Sequence, residues 1–127
     1  MRKMLTIEEI IQNEDGLFFK IEDNETLNFD NCHEIGTMIA DSEQNSLLYI
    51  IEENEEFVYI TIPVTLWAHI KKANDQHQKV FLQSRDGQLE LNSWNDELTY
   101  LVQNVEGNFN YGEEFVKQIQ KVFLEEK

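Results

Sequence analysis

Apolar positions follow two regimes along the chain. Beyond Trp94 they recur at helical spacing. Trp94, Leu98, Leu101, Val102 and Val105 fall on one face at 3.6 residues per turn. Phe115, Val116, Ile119, Val122 and Phe123 repeat the pattern. Ser93 is a natural N-cap of the first helix, with Asp96 as a short capping-box partner. Asn110 is a natural cap of the second, and Glu113 and Glu114 occupy its first turn, where the helix dipole favours negative charge. Burying each large apolar side chain is worth roughly 1.5–3 kcal/mol, far more than propensity supplies. Both helices must therefore pack on something.

The preceding residues supply it as strands. Residues 3–11 alternate, with a slip near Glu9 that reads as a bulge. Asn13-Glu14-Asp15-Gly16 signals a tight hairpin into a return strand over 17–21. Asp23-Asn24-Glu25 signals a further turn, and residues 26–30 read as a short third strand. Around Ile35, Met38 and Ile39 the pattern fits either a helical turn or a strand, and residues 41–45 are a polar turn. Residues 46–51 form an unbroken apolar run, as expected of a strand buried on both faces. Residues 57–62 return after the acidic stretch 52–56 with strong β propensity. This 46–62 hairpin is predicted to be the middle of the sheet. Pro63 ends it, and a helix is predicted over 64–74, with Leu66, Trp67, Ile70 and Ala73 on one face. Residues 79–85 and 88–91 form a last hairpin around Asp86-Gly87. Two Asp-Gly turns and short spacings favour antiparallel pairing over βαβ crossovers.

The predicted fold is α+β: a single domain over residues 1–127, with an antiparallel sheet of about six or seven strands and three helices. The last two helices form a C-terminal pair packed on the sheet.

Composition narrows the function classes. The chain has 127 residues, enough for a core without disulfides or metal. Its 14 aromatics argue against disorder. The lone Cys32 permits no internal disulfide and fits a reducing, cytoplasmic setting. The start of the chain lacks the apolar run of a signal peptide, and no stretch is long and apolar enough for a membrane span. The net charge is −15. Residues 5–63 hold 15 acidic side chains against one lysine. Such a surface repels nucleic acid and anionic lipid. Beyond solubility, it suits a docking face for a basic partner or mimicry of nucleic acid.

No pattern of residues spells a catalytic centre. Cys32 and His33 are adjacent, so in an extended segment they point to opposite faces. His69 and His77 would need a distant carboxylate or Cys32 to form a zinc site. Glu52, Glu53, Glu55 and Glu56 lack calcium-loop spacing and read as a solvated hairpin tip. There is no phosphate loop, nucleophile elbow or triad signature. No cofactor and no metal are expected.

Residues 107–114 are the most unusual short stretch. Two glycines and two asparagines permit uncommon backbone angles, and an aromatic ring stands on each side of Asn110. The stretch is either a compact helix connection or a recognition loop. In the second case Asn108, Phe109, Asn110, Tyr111 and Glu114 are the binding residues.

Certain segments carry a resemblance. They are Ile35-Gly36-Thr37-Met38-Ile39-Ala40-Asp41-Ser42-Glu43 with the strands that follow to Ile62, then Glu97-Leu98-Thr99-Tyr100 and Gly107-Asn108. Asn110-Tyr111-Gly112-Glu113-Glu114-Phe115-Val116 is the most specific. Together they resemble a family of small acidic proteins from low-GC Gram-positive bacteria, of uncharacterised function. The likeness covers about two-thirds of the chain and spares the N-terminal hairpin. It implies a bacterial cytoplasmic protein and supplies no catalytic residues.

The reading is a non-enzymatic protein-binding or regulatory module. Its partner is an unidentified protein, for which a basic surface is the natural complement, with no nucleic acid and no membrane. The chain itself is a monomer or homodimer. Two alternatives stand beside it. One is a small-molecule binder or minor enzyme with a pocket between sheet and helices, using Tyr49, Tyr59 or Tyr100 and a nearby carboxylate. The other is an acidic nucleic-acid mimic.

Overall fold

The computed structural model describes residues 3–21, 27–84 and 87–124. The turn expected at Asp23-Asn24-Glu25 lies outside the described residues, as does Asp86 of the second Asp-Gly turn. Eight strands form two four-stranded sheets. The first sheet has the order β1 (Lys3–Thr6), β6 (Glu56–Pro63), β5 (Ser46–Glu53), β4 (Cys32–Asp41). The second has the order β2 (Glu9–Asn13), β3 (Gly16–Lys20), β7 (Val80–Ser84), β8 (Gly87–Glu90). Among the described residues three α-helices complete the fold: α1 (Trp67–Asp75) between β6 and β7, then α2 (Trp94–Val105) and α3 (Glu113–Ile119) after β8. The α+β class therefore holds, and the single antiparallel sheet is corrected to two mixed sheets.

The correction has a local cause. The break near Glu9 is not a bulge within one strand. It is the crossing between sheets: β1 pairs parallel with β6, while β2 pairs antiparallel with β3. A second parallel pair joins β3 to β7. Asp-Gly turns report only on strands adjacent in sequence, and there the reading holds: β2–β3, β4–β5, β5–β6 and β7–β8 are antiparallel. The predicted strand at 26–30 is also corrected. The Asn28 side chain accepts from the Asp30 amide, and Phe29–Asn31 closes into a 3-10 turn. The 46–62 hairpin does occupy the middle of its sheet. Gly16 marks a tight approach, because a Cβ there would lie 2.6 Å from the Lys79 carbonyl oxygen.

The inner faces of both sheets and the helices share one apolar cluster. Trp94 of α2 stands between the sheets, its ring 5.1 Å from Phe19 on one side and 5.1 Å from Tyr49 on the other. All five apolar residues expected of α2 are buried. In the last helix Phe115, Val116, Ile119 and Phe123 are buried, and the final stretch Gln120–Leu124 widens into a π-helix. Of the C-terminal pair, α2 packs along β4. The aromatic rings of the last helix meet Trp67 of α1 instead, at 5.8 Å from Phe115 and 5.9 Å from Phe123. No described helix is long and apolar enough to cross a membrane.

Candidate interaction surfaces

The stretch 107–114 folds as a tightly bonded connection. The Asn108 side chain accepts from the Asn110 amide at 3.2 Å, and Phe109–Tyr111 forms a 3-10 turn. The Tyr111 and Gly112 amides close onto Asn108 and Phe109 carbonyls. Asn108 caps this 3-10 turn, and the cap expected of Asn110 at α3 is not made: Gly112 holds that position without a side-chain bond. The five candidates do not converge on one pocket. Tyr111 is half-buried against Phe115, with ring centroids 6.2 Å apart. Phe109 points out, 62% exposed, and Asn110 and Glu114 are exposed as well. Glu106, Glu113 and Glu114 flank the turn in solvent. Glu113 is engaged by Lys117 at 2.9 Å, and that contact raises the lysine pKa.

The junction of α2 with β4 holds a part-buried polar cluster. A bulge between Glu34 and Thr37 turns Glu34 toward the core side. Its carboxylate accepts from the Tyr49 hydroxyl and, at 3.1 Å, from the Ser93 amide. Glu97 accepts from the Met38 amide at 3.1 Å. The Ser93 side chain makes no capping bond, and Glu34 of the sheet accepts from the Ser93 amide, the bond expected of the capping-box partner Asp96. Gly36 (φ +76°) sits in this bulge, and a Cβ there would lie 3.3 Å from the Ser93 hydroxyl. Tyr49 has its pKa raised, first by burial and then by the hydrogen bond and charge of Glu34 and the charge of Glu97, against a small lowering by Ser93. These groups are spent on one another, an arrangement that locks a helix to a sheet.

The other chemistry-bearing residues are dispersed. Tyr49 is buried on the core side, Tyr59 lies on the opposite face of the same sheet, and Tyr100 is 64% exposed on α2. The three tyrosines therefore do not line one pocket among the described residues. Cys32 faces inward, its thiol pushed up to about 11 by burial and by Glu53, with Lys3 opposing. His33 faces outward, 3.8 Å from Glu52. Among the described residues no three His, Cys, Asp or Glu side chains gather as a metal site. A cleft of about 140 Å³ opens between α1 and α2, lined by Lys71, Asn74, Leu98, Val102 and Phe123. Ligand pockets run from roughly 300 Å³ upward.

The most distinctive surface was not among the expected sites. On the first sheet, Leu47, Tyr49, Ile51, Val58, Ile60 and Ile62 face the core. The strand register puts two cross-strand rows on the other side: Met4, Tyr59, Ile50 and Thr37, then Thr6, Thr61, Leu48 and Ile39. None of these eight side chains carries a charge. Phe57 follows on the same face of β6, its ring 6.5 Å from that of Tyr59, in the row that holds Glu52 and His33. Met4 is 54% exposed, Phe57 49% and Ile39 40%. Leu48 is nearly buried, yet it stands outside the core cluster. Charged groups appear only at the ends of the face, His33 and Glu52 at one and Asp41 at the other. The signal was the unbroken apolar run 46–51: it predicts burial on both faces, and on the outer face Leu48 and Thr61 are buried while Met4, Ile39 and Phe57 stay open.

The sequence model of a family of unknown function, UPF0738, matches residues 5–123. The N-terminal hairpin is therefore inside the likeness, not spared by it. A UPF0738 protein of Bacillus cytotoxicus is 36% identical over 124 residues, covering 98% of this chain and 100% of that protein. One from a Geobacillus species is 33% identical over 98% of this chain and 99% of its own length. One from Bacillus cereus is 35% identical over 98% of this chain and all of its own. No solved structure matches the chain. With nearly its whole length matched, and relatives in low-GC Gram-positive bacteria, the chain belongs to the UPF0738 family.

Proposed function

We propose that the protein is a non-enzymatic binding module of the bacterial cytoplasm that engages another protein through the outer face of its first sheet. One observation carries this reading. In a chain of net charge −15, two adjacent cross-strand rows are free of charge, and Met4 and Ile39 in them stand open to solvent beside Phe57. A solvated sheet face normally alternates to polar residues, and contiguous apolar surface of this kind marks an interaction site. The test is capture from a bacterial lysate with the wild-type chain and with the exposed-position variants Phe57→Glu and Ile39→Glu. The wild type should retain a protein, its own copy included, that both variants lose. Equal retention by all three would contradict the reading.

A second contact has its own observation. Phe109 stands exposed on a turn whose backbone is internally bonded, among Glu106, Glu113 and Glu114. An exposed aromatic in an acidic segment suits a basic peptide. Such binding should weaken as salt rises and fall on Phe109→Ala.

A further inference from the structure

We infer that the docking surface works by strand addition: an extended segment of another protein pairs with the open edge of β1, beside Met4 and Phe57. The inference rests on the docking reading above and names the form of its partner.

The ladder fixes which backbone groups that edge offers. β1 runs parallel to β6, and the Ile7 amide donates to the Thr61 carbonyl at 2.9 Å. In a parallel pair, alternate residues of a strand turn their N–H and C=O to the same neighbour. Lys3, Leu5 and Ile7 therefore bond to β6, and Met4 and Thr6 turn their backbone groups away from it. Among the described residues β6 is the one strand that pairs with β1, and no backbone bond reaches Met4 or Thr6 from a turn or loop. Their N–H and C=O groups stand in a row at the margin of the sheet. Another extended backbone repeats donor and acceptor at the same spacing, so the row selects a strand as its occupant.

The other edges are guarded or polar. On β4, at the far side of the same sheet, Glu97 of α2 accepts from the Met38 amide, and the bulge between Glu34 and Thr37 breaks the ladder. On β8 the Phe29 ring lies against Gly87, where a Cβ would come within 3.3 Å of it. On β2 Ile11 is exposed, but between the exposed polar residues Glu9 and Asn13. The centre of the outer face is closed at Leu48 and Thr61, so the apolar surface left to a partner lies at its margins. At the β1 margin Met4 is 54% exposed and Phe57 49%. Open backbone and open apolar side chains coincide there. An added strand would lie about 4.8 Å beyond β1 and turn alternate side chains onto Met4 and toward Phe57. The partner segment is therefore extended, free of proline and apolar at alternate positions.

The experiment is amide hydrogen exchange of the full chain by NMR, with an end-blocked peptide of alternating valine and threonine as the probe. In the free chain Met4 and Thr6 should exchange fast and Leu5 slowly. Saturating peptide should slow Met4 and Thr6 by about tenfold or more and leave Ile10 and Gln12 of β2 unchanged. Thr6→Pro removes one outward donor and leaves the bonds to β6 in place. It should keep the wild-type circular dichroism, fail to bind the peptide, and lose the protein retained in the lysate test. Unchanged exchange at Met4 and Thr6 in the wild type would overturn the inference, whether or not the variant folds. So would slowing confined to Ile10 and Gln12. A protein that folded Thr6→Pro retains, while Phe57→Glu and Ile39→Glu lose it, would keep the docking reading and reject strand addition. Equal capture by all four chains would reject the docking reading, and the inference with it.

Discussion

Tyr49 shows how a single side chain ties the fold together. It is buried on β5, its ring lies against Trp94, and its hydroxyl donates to Glu34, which also accepts from the Ser93 amide at the start of α2. An ordinary tyrosine loses its proton near pH 10. Here burial and the two glutamates raise that value, so the folded state holds the proton more tightly than the unfolded one. The stabilisation is complete below about pH 10 and is lost as pH rises beyond it. Cys32, pushed up to about 11 from 9.0, acts in the same direction. Tyr49→Phe should cost about 1.5–3 kcal/mol at neutral pH, the worth of a hydrogen bond to a charged group. It should also flatten the alkaline decline measured by denaturant unfolding. Equal slopes in wild type and variant would contradict this account.

A second residue-scale prediction concerns the hairpin tip between β5 and β6. Asn54 and Glu55 both adopt positive φ, 51° and 69°. That is the signature of a tight primed turn, for which Asn-Gly is the preferred pair. The acidic stretch was legible as a hairpin tip, and the strain on Glu55 follows from the register closing after only two residues. Glu55→Gly should raise stability by about 1 kcal/mol through release of that strain, read as a shift in the unfolding midpoint.

At the scale of elements, the helices were the most legible part of the chain. The 3.6-residue stripe of α2 identified all five of its buried positions, because the stripe is written locally. Leu98 is 1% exposed, and Leu98→Ala should cost about 2–5 kcal/mol, measured by thermal or denaturant unfolding. The caps were less legible. Ser93 and Asn110 carry the right chemistry, yet Glu34, distant in sequence, supplies the acceptor for Ser93, and Asn108 caps the short turn. A cap residue in sequence states what a helix end needs, not which chain segment will meet the need. The 107–114 stretch illustrates the same limit. Its glycines and asparagines announced a turn, but nothing in them separates Tyr111, packed on Phe115, from Phe109, held in solvent.

At the scale of the molecule, the pairings lost to sequence reading are the two parallel ones, β1 with β6 and β3 with β7. Each joins strands dozens of residues apart, with no turn signal between them. Splitting into two sheets follows from the same feature, since β1 and β2 are adjacent in sequence and diverge at Glu8. The outer face of the first sheet was partly legible. The run 46–51 announced two-sided burial, but only the strand register collects Met4, Ile39, Ile50, Phe57 and Tyr59 onto one surface.

Solvent contact at that surface in the purified protein tests the account most directly. A soluble paramagnetic agent can be titrated while side-chain relaxation is followed at Met4, Ile39 and Ile50, with Ile11 as an exposed reference on the second sheet. In the isolated chain Met4 and Ile39 should relax about as fast as Ile11, as a docking face open to a partner requires. If both relax several times more slowly than Ile11, the face is already covered and is not a docking surface.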